Sequence, residues 1–258
     1  MSLSSLTNRG RTTKRPGEVP THLIALSVRS SRGRINNVDE EELILGQIDY
    51  YRQRAPEYDE TSSPPGNPLA PHGQRIEDAL HAFAPAGKVL EIASGTGTWT
   101  RHLLEHASEL TALDSSPEMH EQSRKKIRDE RVRYIERDVF SWEPDDTYDV
   151  VFFANWLSHV PPSAFEQFWA IVERALAPEG RVFFVDEVRD AWRNEDLREE
   201  FIQGPTVPIV RRPLKDGRTF DVVKVFWEPT ELKARLAELG WDINVETSGP
   251  FFCAQGHR

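Results

Sequence analysis

Residues 89–100 read VLEIASGTGTWT, and this stretch decides the fold. Its first part is a short apolar run typical of a buried strand, and its last part opens a helix. Between them, Gly95 and Gly97 form a Gly-x-Gly turn that lets the backbone turn tightly and lets a ligand approach it. Asp114 lies seventeen residues after Gly97, at the end of the next apolar run. A carboxylate there accepts hydrogen bonds from both ribose hydroxyls, so the pattern predicts a nucleoside ligand.

The side chains around the turn distinguish two kinds of nucleoside ligand. A dinucleotide-binding turn has a third small residue at position 100, where this chain has Thr100, and its pyrophosphate disfavours a nearby anion. Glu91 lies inside the strand, beneath the turn, and its carboxylate suits a ligand that carries an ammonium group. These features favour the methionine end of S-adenosylmethionine over a nicotinamide dinucleotide.

Short apolar strands alternate with helices on both sides of this stretch. We predict strands at 88–93, 110–114, 132–135, 148–153 and 181–185 and helices at 39–55, 73–84, 99–106, 117–128, 163–176 and 230–239. This alternation indicates a parallel sheet covered by helices on both faces. Two last strands, 241–247 and 251–255, are joined too closely for a parallel crossover. We therefore predict an α/β fold with a seven-stranded, mostly parallel sheet and an antiparallel last strand.

The chain divides into a tail and one domain. Residues 1–37 are rich in Ser, Thr and Arg with little periodicity, and we expect a disordered basic tail, with organelle targeting left open. Residues 38–258 form a single domain. Its parts are an N-terminal helical lid, a cofactor-binding core, an insertion with a β-hairpin that covers the acceptor, and a C-terminal helix and hairpin, at 38–85, 86–188, 189–227 and 228–258. The Asp216-Gly217 pair marks the turn of the inserted hairpin.

Composition narrows the classes of partner. The formal net charge is −10, although residues 1–37 hold seven basic residues against one acidic residue. The rest of the chain is therefore strongly acidic and repels nucleic acid, so we expect no nucleic-acid substrate. No apolar run reaches the roughly 18 residues that span a bilayer, so we expect no membrane contact. The single cysteine, Cys253, fits a reducing compartment, and we expect a cytoplasmic protein.

Four stretches together resemble the motifs of class I (Rossmann-like) S-adenosylmethionine-dependent methyltransferases of the small-molecule type. They are residues 91–97, 112–119, 136–139 and 148–156. Ala93 stands where the family more commonly has its first glycine, and Tyr51 and Tyr58 resemble part of an N-terminal lid. The final two strands resemble the family's reversed seventh strand. The resemblance implies S-adenosylmethionine as cofactor, S-adenosylhomocysteine as product, and a small-molecule methyl acceptor.

The same resemblance implies roles for individual residues. Asp114 holds the ribose, and Ser115 and Met119 lie beside the adenine. Asp138 accepts from the adenine amino group, and the amide of Val139 donates to the ring. The other cofactor contacts that it implies are Tyr51, Tyr58, Glu91, Ala93, Gly95, Gly97, Thr100 and Asn155.

His159 is the candidate catalytic residue. It follows the fourth strand, within residues 156–161, on the side where open α/β sheets bind ligands. The ordinary pKa of histidine suits a general base, and the alternative is a histidine that only packs or caps beside the neighbouring prolines. Trp156 is expected to wall the acceptor pocket.

Three charged residues have two interpretations each. Arg211, in the inserted hairpin, either clamps an acidic acceptor or belongs to an ordinary charged edge, and the edge is slightly favoured. Asp186 and Glu187 end the fifth strand, where they either bind an acceptor amine or face solvent.

One string resembles a metal motif. His102 and His106, in His-x-x-Glu-His, match an inverted zinc-protease signature. If the predicted helix 99–106 buries Leu103 and Leu104, the histidine pair faces solvent. We therefore predict no metal site.

Three functions remain in competition. The favoured one is a methyltransferase that acts on an O, N or C nucleophile of a small molecule. A nicotinamide-dependent oxidoreductase is the second, and Glu91 and the missing third glycine argue against it. A catalytically silent protein of the same fold is the third, and the nearly complete motif set makes it less favoured. A homodimer is left open.

Overall fold

A computed structural model of the chain describes residues 34–35, 38–62, 66–188 and 208–258. Nearly all of the expected tail and residues 189–207 of the expected insertion lie outside the described residues. Arg34–Ile35 pairs with Val38–Asp39 in a short antiparallel ladder, so regular structure begins slightly before the expected boundary at residue 38. Among the described helices, none combines the length and apolar character needed to cross a bilayer.

The described part of the chain contains the following strands and helices. The strands are β1 (Arg34–Ile35), β2 (Val38–Asp39), β3 (Gly87–Ile92), β4 (Ala107–Asp114), β5 (Val132–Glu136), β6 (Tyr148–Ala154), β7 (Leu176–Glu187), β8 (Ile209–Pro213), β9 (Thr219–Val223), β10 (Asp242–Ser248) and β11 (Phe251–His257). The helices are α1 (Glu40–Arg54), α2 (Tyr58–Ser62), α3 (Ala70–Phe83), α4 (Thr100–Leu103), α5 (Pro117–Lys126), α6 (Phe165–Ala175) and α7 (Pro229–Glu238).

Seven strands form the central sheet, in the order β10-β11-β7-β6-β3-β4-β5. Strand β11 runs antiparallel to both of its neighbours, and the other pairings are parallel. The predicted fold class is therefore confirmed, including the reversed last strand. Strands β8 and β9 form the predicted hairpin as a separate two-stranded sheet.

Strand β6 shows why the sheet is covered on both faces. Because successive side chains alternate between faces, Val150 and Phe152 pack in one apolar cluster with Leu80 of α3. Phe153 points the other way and packs with Trp169 of α6. The largely apolar run of β6 is thus the expected pattern of a strand buried on both faces.

Most predicted helices differ from the observed ones by a few residues at one end, and for two of them the structure shows the reason. Helix α4 ends at Leu103 rather than 106, because β4 already begins at Ala107 and pairs with Gly87. Residues 163–166 read SAFE and predict a capping box at the start of the helix predicted at 163–176, but the capping box does not form. The Ser163 hydroxyl instead donates to the buried carboxylate of Glu40, at 2.6 and 2.7 Å, and α6 begins at Phe165 after a 3₁₀ turn.

Helix α1 packs on the inserted hairpin. Tyr50 of α1 is buried in one apolar cluster with Val210 of β8 and Val222 of β9. The N-terminal helix and the insertion, far apart in sequence, therefore form one layer at the carboxyl ends of the central strands.

Candidate functional site

A cavity opens at the carboxyl ends of β3, β4 and β6, where open α/β sheets bind ligands. Twelve of the residues predicted from sequence line it: Tyr51, Tyr58, Ala93, Gly95, Asp114, Ser115, Met119, Asp138, Val139, Asn155, Trp156 and His159. Helix α1 adds apolar lining through Ile44 and Ile48. The structure thus brings the four motif stretches and the N-terminal helix together around one cavity.

The glycine turn is held by Asp114. One carboxylate oxygen accepts from the backbone N–H of Gly95, and the other accepts from that of Ser116, each at 2.8 Å. Burial raises the pKa of Asp114 to about 6, although these hydrogen bonds oppose the shift. The carboxylate that is expected to hold the ribose therefore also fixes the turn beside it.

Two residues other than glycine have a left-handed backbone conformation at the cavity. Ala93 has φ 54° and Asn155 has φ 51°. The left-handed region costs an L-residue about 1–2 kcal/mol, and asparagine tolerates it better than most. The backbone at Ala93 explains why glycine is the commoner residue there, and strain of this kind gathers at functional sites.

Four predicted residues do not line the cavity, and three of them belong to the layer beneath the turn. Glu91 is buried and accepts a hydrogen bond from the Thr100 hydroxyl at 2.6 Å. Burial raises the pKa of Glu91 to about 8. Gly97, at φ 81°, lies so close to Ser123 that a Cβ atom would be 2.5 Å from its hydroxyl oxygen. These residues shape the turn from below.

Arg211 is the fourth. Its guanidinium pairs with Asp221 of the facing strand at 2.8 Å, and both side chains are exposed. This geometry is that of a charged hairpin edge. The alternative in which Arg211 clamps an acceptor receives no support from its position.

The N-terminal lid segment contacts the glycine turn. The Thr96 hydroxyl donates to Asp59 of α2 at 2.5 Å, and Lys126 pairs with the same carboxylate at 2.6 Å. Burial pushes the pKa of Asp59 up, but the bonds from Lys126 and Thr96 outweigh it and hold the pKa below its usual value. The predicted lid segment therefore touches the turn directly.

His159 is fixed at both ring nitrogens. Its Nδ1 lies 2.6 Å from the carbonyl oxygen of Val223 in β9, and its Nε2 lies 2.8 Å from the hydroxyl of Tyr51 in α1. A carbonyl only accepts, so Nδ1 carries the proton. Burial, with Lys224 and Arg212 nearby, holds the pKa of His159 well below its usual value. The ring is therefore neutral, and the Tyr51 hydroxyl donates to Nε2.

Gln47 is a functional residue that the sequence reasoning missed. Its side-chain amide donates to the His159 carbonyl at 3.3 Å, and its oxygen accepts from the Val223 N–H at 3.0 Å. Gln47 thus joins the two segments that hold the imidazole. The sequence feature that could have identified Gln47 is its position as a polar residue on the apolar face of α1, one turn before Tyr51.

Asp186 and Glu187 support this arrangement from behind. Asp186 is fully buried, and its carboxylate accepts from the Ser158 N–H at 2.8 Å. Glu187 pairs with the buried Lys224 at 2.9 Å, and Lys224 also donates to the Ser158 hydroxyl at 3.1 Å. Both carboxylates are therefore engaged within the protein, so the structure favours a role in holding the turn before His159.

Comparison with known proteins agrees with this geometry. The methyltransferase domain family matches residues 89–180. A solved complex of a protein named DhpI with SAM and HEP is 43% identical, covers 86% of this chain and 100% of that chain, and superposes with a TM-score of 0.73. A DhpI–SAH complex is 42% identical over 85% of this chain and 98% of that chain, with a TM-score of 0.71.

This chain belongs to the S-adenosylmethionine-dependent methyltransferases. Its cofactor is S-adenosylmethionine, as the motif pattern predicted. Nodulation protein S of Rhizobium tropici is a more distant relative, 28% identical over 131 residues, or 49% of this chain. The match spans about half of that relative, 54% of its length.

The residues present fit this cofactor. Asp114 and Glu91 are buried acids whose raised pKa values have burial as their largest cause, and the ligand of this family brings ribose hydroxyls and positive charge. Asp114 lines the cavity, whereas Glu91 lies one layer below it and accepts a hydrogen bond from Thr100.

Proposed function

We propose that this methyltransferase acts on the hydroxyl or amine of a small molecule, with Tyr51 and His159 managing the proton of the nucleophile. The hydrogen-bonded pair carries this proposal, because it lies in the same cavity as the glycine turn and Asp114. A nucleophile that loses a proton has a use for such a pair. A carbon nucleophile that is already a carbanion has none, so the pair favours O or N.

The cofactor supplies an electrophilic methyl group on a sulfonium sulfur, which leaves as a thioether when the nucleophile bonds to the methyl carbon. The protein aligns the partners and excludes water, which contributes up to roughly 7–11 kcal/mol to such reactions. Ile44 and Ile48 of α1 and Trp156 supply apolar walls for this purpose. The indole N–H of Trp156 is buried without a hydrogen-bond partner among the described residues, and an acceptor oxygen would satisfy it.

The proton step follows from the tautomer of His159. As the new bond to the methyl carbon forms, the proton on the nucleophile becomes strongly acidic. It passes to the Tyr51 oxygen while the Tyr51 proton passes to His159 Nε2, and the imidazolium then releases a proton to solvent. A weakly basic His159 is sufficient, because the proton leaves late and from an acidic oxonium or ammonium group.

A small acceptor is supported by the lining of the cavity and by charge. Helix α1 lines the cavity opposite the motif residues through Ile44, Ile48 and Tyr51, so an acceptor must fit between them. The acidic body of the chain also disfavours a nucleic acid. The single cysteine, Cys253, is a buried free thiol, which fits the cytoplasmic location expected from the sequence.

Methyl transfer can be tested with isotopically labelled S-adenosylmethionine and a panel of small alcohols, amines and carbon nucleophiles. We expect acceptor-dependent S-adenosylhomocysteine and labelled product with at least one O or N acceptor. Tyr51→Phe and His159→Gln should each lower the transfer rate by roughly 10²-fold or more, as expected for loss of a proton-transfer group.

Cofactor affinity, measured by calorimetry on the same variants, separates chemistry from binding. His159→Gln should bind S-adenosylmethionine within about threefold of wild type, which is under 1 kcal/mol. Wild-type turnover in both variants would overturn the role of the pair. Transfer only to carbon acceptors would overturn the proposed acceptor class.

A further inference from the structure

Outside the cavity, histidine and carboxylate side chains of α3, of α4 and of the segment after α4 come close together. His81, His102 and Glu105 each place one potential ligand atom within 4.8 Å of the other two. His81 Nδ1 lies 3.9 Å from a Glu105 carboxylate oxygen, and the rings of His81 and His102 are 5.7 Å apart. Three groups that bind transition metals thus come together from two separate elements.

The sequence expectation for this region was wrong in one respect. We expected His102 and His106 to share a solvent-facing helix surface, but α4 ends at Leu103 and the His102 side chain is only 12% exposed. It lies against α3, which contributes His81. Two histidines alone bind a metal poorly. The additional ligand, His81, comes from α3, and the local sequence at residues 102–106 does not show where α3 lies.

We propose that His81, His102 and Glu105 bind one divalent transition-metal ion, with Zn²⁺ the best match to two imidazoles and a carboxylate. Zinc bonds of about 2.0–2.2 Å place tetrahedral ligand atoms roughly 3.3 Å apart. The observed spacings exceed this by at most about 1.5 Å, a distance that side-chain torsions close. His106 Nε2 lies 3.0 Å from His81 Nδ1, so this hydrogen bond must break if Nδ1 binds the ion.

The surroundings of the cluster also suit a metal. A Glu77 carboxylate oxygen lies 3.8 Å from His102 Nε2 and adds negative charge beside the cluster. The exposed Arg101 donates to His102 Nε2 at 3.1 Å and must move aside if that nitrogen binds the ion. The site would tie α3 to the segment that follows the glycine turn, so its role would be structural.

Calorimetric titration of Zn²⁺ into the metal-free full chain tests the site. We expect one tight site per chain, with a Kd in the micromolar range or below. His81→Ala should weaken it at least tenfold, and Glu105→Gln, an exposed position that does not threaten folding, at least threefold. His257→Ala removes an exposed histidine outside the cluster and should leave the titration unchanged.

Co²⁺ provides a second readout, because the intensity of its visible absorption reports its coordination geometry. A strong band in wild type that is lost in Glu105→Gln is the expected result. Wild-type binding in both His81→Ala and Glu105→Gln, or no Zn²⁺ binding below about 100 μM, would overturn the site. The methyltransferase proposal is unaffected by either outcome.

Discussion

At the residue scale, Gln47 determines how the imidazole of His159 is presented. Its amide bonds the His159 carbonyl on one side and the Val223 N–H on the other, and the Val223 carbonyl in turn fixes the proton on Nδ1. A change at Gln47 therefore alters the acceptor nitrogen that faces Tyr51 without touching the ring. We regard Gln47 as a positioning residue.

Gln47→Leu tests this role. It leaves the buried Val223 N–H and His159 carbonyl unpaired, which should lower the free energy of unfolding by about 1–3 kcal/mol for each group. In ¹⁵N NMR spectra, His159 should lose its single Nδ1-protonated form. The matched control is Gln53→Leu, an exposed glutamine of the same helix. An unchanged His159 spectrum in Gln47→Leu would contradict the positioning role.

Sequence reasoning reached most of the cavity lining because local motifs encode it. Asp114 ends a strand, Asp138 and Asn155 each follow one, and the carboxyl ends of parallel strands meet at one edge. The hydrogen bond between Gln47 and Val223 joins residues 176 positions apart, so no periodic pattern in the local sequence predicts it. We predicted that Glu91 and Thr100 contact the ligand because both belong to the sequence motif. In the structure their side chains pack one layer below the residues that line the cavity.

At the element scale, the turn between β3 and α4 is the part most sensitive to added atoms. Gly97 and Gly95 both have positive φ, at 81° and 54°. A Cβ at Gly97 would collide with Ser123, whereas one at Gly95 meets nothing nearer than 4.0 Å. The two glycines therefore separate backbone strain from steric overlap.

Gly95→Ala should cost about 1–2 kcal/mol of unfolding free energy, the price of a left-handed alanine. Gly97→Ala carries the collision as well and should cost about 2–4 kcal/mol, with a comparable loss of cofactor affinity as the turn shifts. Urea denaturation of both variants measures the difference. Equal losses would show that the contact with Ser123 relaxes without cost.

The elements themselves were predictable where pattern and packing agree. Strand β6 is buried on both faces and reads as a continuous apolar run, and it was placed within one residue of its observed bounds. Helix α4 was predicted too long because β4 begins early to pair with Gly87, a constraint of the sheet. The local sequence at Ser163 fits a capping box, but in the structure the Ser163 hydroxyl donates to the buried Glu40 carboxylate instead.

At the scale of the whole molecule, the buried Glu91 links stability to pH. Its pKa is raised from 4.5 to about 8, so the folded state holds a proton that the unfolded state releases above about pH 4.5. The contribution of Glu91 to stability is therefore complete below pH 4.5 and is lost as the pH rises towards 8. The glutamine of Glu91→Gln keeps an acceptor for Thr100 and does not titrate.

The free energy of unfolding of Glu91→Gln should therefore rise relative to wild type as the pH increases. The expected slope is up to about 1.4 kcal/mol per pH unit between roughly pH 5 and pH 8. Chemical denaturation at unit pH steps measures it, with Glu109→Gln on the neighbouring strand as the control for removing an exposed carboxylate. A difference that does not vary with pH would mean that Glu91 is ionised when buried.

We infer that Asp114 and the glycine turn bind S-adenosylmethionine rather than a dinucleotide. Calorimetric titration of the wild-type chain and Asp114→Asn with S-adenosylmethionine, and separately with NAD, tests it most directly. We expect micromolar binding of one S-adenosylmethionine per chain, at least tenfold weaker (about 1.4 kcal/mol) in Asp114→Asn, and no binding of NAD. Binding of NAD in place of S-adenosylmethionine, or unchanged affinity in Asp114→Asn, would contradict it.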